Sequence, residues 1–152
     1  MRRKDKEIKD KKELELIIRK ANVCRIALSD NNMPYIVPVN FGYKDNSLYI
    51  HSATEGKKIE IIKKNNNVCF EMDIDHELSI SEAPCSCSMK YRSIIGFGKA
   101  FIVEDLKEKQ EALDVIVNQY FPNTIYQYNE KRIRDVLIIK VKINYMTGKK
   151  SE

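Results

Sequence analysis

Leu48-Tyr-Ile-His-Ser-Ala-Thr-Glu-Gly-Lys-Lys58 runs from a strand, through a small turn, into the start of a helix. The strand ends at His51-Ser52, residues 53–56 turn the chain, and the helix begins near Lys57. A helix start exposes unpaired backbone N–H groups and a partial positive charge. Gly56 lets the backbone come close to a ligand. Lys57 and Lys58 add two ammonium groups, and Ser52 and Thr54 add hydroxyl donors. Together these groups suit a phosphate. The residues alone leave a second reading open, in which both lysines are a solvated first turn and Ser52 or Thr54 is an N-cap. Lysines in a first turn oppose the helix dipole, which makes an anion welcome there.

Strand patterns surround this segment. Residues 23–28 are a strand candidate, followed by the turn signal Asp30-Asn31-Asn32. A second strand starts at Pro34 and runs on through Asn40-Phe41-Gly42-Tyr43. Lys44-Asp45-Asn46-Ser47 turns the chain again, and Leu48 to Ser52 completes a meander of three antiparallel strands. Further strands are expected at 68–74, at 91–103 with Gly96 and Gly98 inside it, and at 136–143. Glycines within a strand signal a bulge or a close approach to the backbone.

Helices flank these strands. Asp10 and Glu13 resemble a capping box before Leu14, Ile17, Ile18 and Ala21, which predicts a helix over 10–21. Residues 57–65 carry Ile59, Ile61 and Ile62 and form a short helix. Residues 106–120 form the strongest helix, with Leu106, Leu113, Ile116, Val117 and Tyr120 on one face and Pro122 beyond its end. About six strands with two or three inserted helices do not alternate as a Rossmann sheet would. A closed or partly closed antiparallel barrel fits, as a single domain over 1–152.

Composition agrees with a globular chain. Apolar residues make up 43% and charged residues 32% of the 152 positions. No apolar run is long enough to span a membrane, and the basic N-terminus is not followed by a signal-peptide core, so a cytoplasmic protein without membrane contact is expected. The cysteines Cys24, Cys69, Cys85 and Cys87 are expected as free thiols. Net charge is +5, with basic ends, but no nucleic-acid motif accompanies it, so no nucleic-acid partner is expected.

Two other constellations carry less. Cys85-Ser86-Cys87 with His76 and His51 lacks the paired Cys-x-x-Cys spacing of structural zinc, and no metal is expected. Glu71, Asp73, Asp75 and Glu77 alternate along a strand and read as a solvated carboxylate face rather than a cation site. No dinucleotide fingerprint, Walker loop or nucleophile elbow is present.

Pro38-Val-Asn-Phe-Gly-Tyr43, Leu48-Tyr-Ile-His-Ser-Ala53, Glu55-Gly-Lys-Lys58, Val68-Cys-Phe-Glu71 and Tyr91-Arg-Ser-Ile-Ile-Gly96 occur in this order. With the Met1-Arg-Arg-Lys-Asp start and the Met146-Thr-Gly-Lys149 end, they resemble the nitroimidazole-resistance (Nim) proteins, which are pyridoxamine 5′-phosphate oxidase-like flavin split barrels. The resemblance implies a mainly β, antiparallel split β-barrel that forms a homodimer with FMN at the subunit interface. It implies that Val39, Asn40 and Phe41 follow the isoalloxazine edge, and that His51 and Ser52 lie near the ring and the ribityl chain. Lys57 and Lys58 stand where the family's basic pair meets the phosphate. Tyr91, Arg92 and Ser93 would approach from a later strand, of the same or the second subunit. His51 is the candidate catalytic residue, as a proton donor beside the flavin, or else a histidine that orders the strand end. The implied activity is transfer of electrons from NAD(P)H to a small acceptor such as a nitroaromatic. The alternative is a flavin- or haem-binding module without turnover, since the same barrels include haem and deazaflavin users.

Overall fold

The computed structural model describes residues 3–151, so Met1 and Arg2 of the motif that opens the chain lie outside it. The described residues form eight strands and four α-helices in the order β1 (Glu7–Ile8), α1 (Lys11–Lys20), β2 (Cys24–Asp30), β3 (Met33–Val39), β4 (Gly42–Lys44), β5 (Ser47–Ser52), α2 (Lys57–Lys64), β6 (Asn67–Ser79), β7 (Ser88–Val103), α3 (Leu106–Tyr120), α4 (Glu130–Asp135) and β8 (Leu137–Ser151). Every strand pair is antiparallel, and the strands lie in the order β3-β2-β6-β7-β8-β5-β4, with β1 on the far end of β8. The mainly β antiparallel expectation holds. The count is eight rather than about six because β1 and β4 are too short to show a period.

The tight turns follow from local chemistry. Asn31 and Asn32 (φ 49° and 67°) join β2 to β3, and Asp45 and Asn46 (φ 49° and 55°) join β4 to β5. Two consecutive left-handed residues make the hairpin turn that matches strand twist, and Asn and Asp tolerate it best.

The expected three-stranded meander does not form. The chain breaks at Asn40-Phe41, and β5 pairs with β8 (Leu48 opposite Val141, Ile50 opposite Ile139) instead of continuing from β3. At the break, Phe41 N–H donates to the Tyr120 hydroxyl at 3.0 Å rather than to a neighbouring strand. Gly42 then lies directly on the α3 backbone, where any Cβ would overlap Val115. This break closes the fold. β3 and β4 are the two ends of the sheet order, yet Val39 and Gly42 are three residue steps apart, about 10 Å at most. The sheet must therefore curl until its edges nearly meet, as a split barrel.

Inside lie Phe41, Phe70, Ile26, Leu48, Ile50, Met72, Ile94, Ile139 and Val141, closed over by Ile17 and Ile18 of α1 and Ile59, Ile61 and Ile62 of α2. A smaller cluster holds Ala112 and Ile116 of α3 against Val103 and Ile138. The glycine signals in β7 hold in two ways. Gly96 leaves the space that the Phe70 ring fills, and the register with β8 shifts between Phe97 and Gly98. Asp10 caps α1 by accepting from Lys12 N–H at 3.0 Å.

The carboxylate row of β6 is interrupted. Asp75 adopts φ 57°, and the register with β7 shifts between Ile74 and Glu77. Arg25 spans Glu71 and Asp73 at 3.0 and 2.8 Å, and Lys90 meets Glu77 at 3.2 Å. The row is thus an ion-paired surface. No described helix is long and apolar enough to cross a membrane.

Candidate functional site

The opening of the barrel holds a cleft of about 450 Å³. Tyr35, Pro38, Val39 and Asn40 line one side, from β3 and the break after it. His51, Ser52 and Ala53 line the other, from the end of β5. Glu55, Gly56, Lys57 and Lys58 form its floor at the start of α2. The period of two along β5 explains the placing of His51: Ile50 points into the core, so His51 points out.

The start of α2 has the features of an anion site. Its N-cap is Gly56 (φ 118°, ψ 168°), and no side chain caps the helix. The Gly56 carbonyl accepts from Ile59 and Glu60 N–H at 2.9 and 3.1 Å, so the earlier N–H groups stay available to a ligand. Positive φ at Gly56 is a conformation that other residues adopt only under strain. No carboxylate stands within ion-pair distance of Lys57 or Lys58 among the described residues. The Lys57 ammonium lies 4.9 Å from the centre of the Tyr35 ring. Lys58 is half-buried, and burial holds its ammonium below the ordinary lysine value. Lys57 stands at a positive helix end and Lys58 loses hydration on burial, so an anion in the cleft would offset both costs.

Of the residues expected from the sequence, Val39, Asn40, His51, Ser52, Lys57 and Lys58 come together in this cleft. Phe41 does not line it: its side chain is fully buried in the core. Tyr91, Arg92 and Ser93 lie on β7 between β6 and β8, away from the cleft of the same protomer. Arg92 there faces Asp75 at 3.9 Å, and Lys149 lies over the Tyr91 ring at 5.3 Å. Sequence reasoning missed Tyr35 and Pro38 as lining residues. Alternation back from Val39 places Tyr35 on the same face of β3, so that signal was present. Tyr120, expected only on the apolar face of its helix, also has a polar role: its hydroxyl accepts from Phe41 N–H and donates to the Asn22 carbonyl at 3.0 Å each. Nothing local in the sequence links those positions.

An apolar row runs across the outside of the sheet beside the cleft. Ile36, Ala27, Cys69, Phe97 and Tyr145 are register partners across β3, β2, β6, β7 and β8. Ile36 is 62% exposed, Phe97 40% and Tyr145 58%, and the last two rings stack at 5.1 Å. The next row, Pro38, Arg25, Glu71 and Ile95, is crossed by the Arg25–Glu71 ion pair; Pro38 lines the cleft and Ile95 is 45% exposed.

Comparison with known proteins agrees with this geometry. The family profile described as pyridoxamine 5′-phosphate oxidase matches residues 10–150. A candidate 5-nitroimidazole antibiotic resistance protein from Bacteroides thetaiotaomicron is 39% identical, with a TM-score of 0.85 over 96% of this chain and 90% of that one. Two more distant structures share the fold. A flavocytochrome from Azotobacter vinelandii is 17% identical, with a TM-score of 0.87 over 100% of this chain and 72% of that one. An FAD- and haem-binding protein from Mycobacterium smegmatis is 18% identical, with a TM-score of 0.88 over 97% and 74%. Among proteins of curated function, none matches this sequence significantly. A profile match across nearly the whole described chain, on a split barrel with its cleft at the barrel opening, shows that the chain belongs to the pyridoxamine 5′-phosphate oxidase family.

Proposed function

We propose that this chain is an FMN-dependent oxidoreductase of the Nim type, working as a homodimer. The observation that carries the reading is the start of α2: an uncapped helix end in the cleft with Lys57 and Lys58, both without a carboxylate partner among the described residues. That donor set fits a phosphate monoester such as the tail of FMN. Val39 and Asn40 would flank the flavin ring, with Ser52 towards the ribityl chain. When bound, FMN supplies the redox chemistry, accepting electrons from a nicotinamide donor and passing them to a small acceptor such as a nitroaromatic. His51 is exposed at the edge of the cleft and would hand a proton to the reduced acceptor.

The identity to the Bacteroides protein supports the Nim-type acceptor, and the flavin-binding neighbours of the same fold support a flavin. A second copy seated on the row from Ile36 to Tyr145 would cover exposed apolar surface next to the cleft. A partner's β7 would then be the source of the Tyr91, Arg92 and Ser93 contacts that the cleft lacks within one protomer.

The direct test is the visible spectrum of the purified protein and the mass of any released cofactor. FMN is the expected result. A Soret band would replace this reading with a haem-binding module, and a colourless protein that takes up no added FMN would end it. Replacing both Lys57 and Lys58 by Ala is expected to weaken FMN binding by about 2–4 kcal/mol, the scale of two charge-assisted hydrogen bonds. Unchanged affinity by titration would remove the phosphate role.

A further inference from the structure

Cys85 and Cys87 lie in the connection that leaves β6 at Ser79 and enters β7 at Ser88, the tip of the longest hairpin. Both thiols are free and exposed, whereas Cys24 is buried and Cys69 half-buried. Burial pushes the Cys24 thiol up to about 12 and raises that of Cys69. Thiolate chemistry near neutral pH is therefore disfavoured at those two positions.

The tip carries its two cysteines two residues apart on one turn. Pro84–Ser86 forms a 3₁₀ turn, with Ser86 N–H donating to the Ala83 carbonyl at 2.9 Å and Cys87 N–H to the Pro84 carbonyl at 3.2 Å. At the tight rise of such a turn, residues two apart have Cα atoms about 5–6 Å apart, within the ~4.4–6.8 Å that a disulfide spans. One member of the pair is already held in place. The Cys87 sulfur accepts from Ser81 N–H at 3.4 Å, and its S–H donates to the Ser81 carbonyl at 3.6 Å. Among the described residues, no third metal-ligating side chain joins the pair. Two adjacent exposed thiols can still react with a disulfide.

We propose that Cys85 and Cys87 form a reversible dithiol–disulfide couple that reacts with small disulfides of the glutathione type. One cysteine thiolate attacks a sulfur of the small disulfide. That S–S bond breaks, one small thiol leaves, and a mixed disulfide forms on the protein. The second cysteine thiolate attacks the protein-side sulfur of the mixed disulfide, and the second small thiol leaves. The cysteine pair loses two electrons and the small disulfide gains them. The two protons released by the cysteines end on the two small thiols. An exposed bridge of this kind is open to attack by thiols and returns readily to the reduced form.

The reduced full-length protein, equilibrated with mixtures of oxidised and reduced glutathione, tests this. After acid quenching, alkylation and trypsin digestion, the peptide of residues 65–90 is weighed; it contains Cys69, Cys85 and Cys87. In the wild type it is expected to lose two hydrogens, with only Cys69 alkylated. The ratio of bridged to reduced peptide should rise about tenfold for each tenfold rise in oxidised glutathione over the square of reduced glutathione. Cys85→Ser and Cys87→Ser should each keep one glutathione instead, because no second thiol remains to displace it. A wild-type peptide that holds stable glutathione without bridging, or keeps both thiols free in excess oxidised glutathione, overturns the proposal.

Discussion

Lys58 ties the burial of one ammonium to the affinity of the cleft. Burial holds its charge below the ordinary lysine value. The unfolded chain therefore binds more protons than the folded one between those two values, and stability from this group rises with pH across that alkaline window. A bound phosphate reverses the preference by favouring the charged form. FMN binding is accordingly expected to take up protons in the alkaline range and to weaken as pH rises there. Calorimetry in buffers of different ionisation enthalpy checks this, and Lys58→Ala should abolish the uptake. His51 gives the other residue-scale expectation. His51→Ala should leave FMN stoichiometry intact while lowering turnover about 10²-fold or more, the range of a lost general acid. Unchanged steady-state rates would reduce His51 to a strand-end residue. The shared place of the lysines and His51 in one cleft was legible because a strand end and a helix start lie within eight residues. The polar role of Tyr120 was not legible, because its hydroxyl acts on Phe41 and Asn22 across long sequence separations.

At the scale of elements, period and turn chemistry read well wherever one stretch of chain determines the structure. α1 begins at the expected cap Asp10, and β2 and β3 meet at the Asn31-Asn32 turn. The misses lie where a distant partner decides. β8 runs on to Ser151 through Thr147, Gly148, Lys149 and Lys150, residues that look like a polar tail until β7 and β1 pair with them. The strand expected to run from Pro34 through Tyr43 breaks after Val39 because Phe41 N–H bonds the Tyr120 hydroxyl and Gly42 packs on the α3 backbone, and neither contact is local. The turn into α2 gives a prediction at this scale. At φ 118°, Gly56 has open space around the position of an added Cβ, so Gly56→Ala adds backbone strain without a clash. A cost of about 1–2 kcal/mol in stability is expected, readable by urea unfolding, with a further loss of FMN affinity as the N–H groups at the helix start shift. Full stability in the variant would show that the turn relaxes freely.

For the whole molecule, the question is what covers the outer face of the sheet. Barrel closure buries the inner face of β2, β6, β7 and β8 but leaves Ile36, Phe97 and Tyr145 in register on the outer one. An apolar row whose members Ile36, Phe97 and Tyr145 are exposed suits an association surface. A two-fold interface uses the same patch on both copies. One substitution at its centre therefore acts twice per dimer. Phe97 is the best place for it, because its ring stacks on Tyr145 and points away from the core. Phe97→Glu is expected to leave the barrel folded, since no core contact is lost, but to place two carboxylates face to face in a desolvated interface. Sedimentation should show a dimer for the wild type and a monomer for Phe97→Glu. If residues from the partner complete the cleft, the monomer should also lose FMN, even though Lys57 and Lys58 are untouched. A variant that is monomeric yet retains flavin would place the whole site within one protomer. A wild type that is itself monomeric would leave the apolar row without the partner proposed for it.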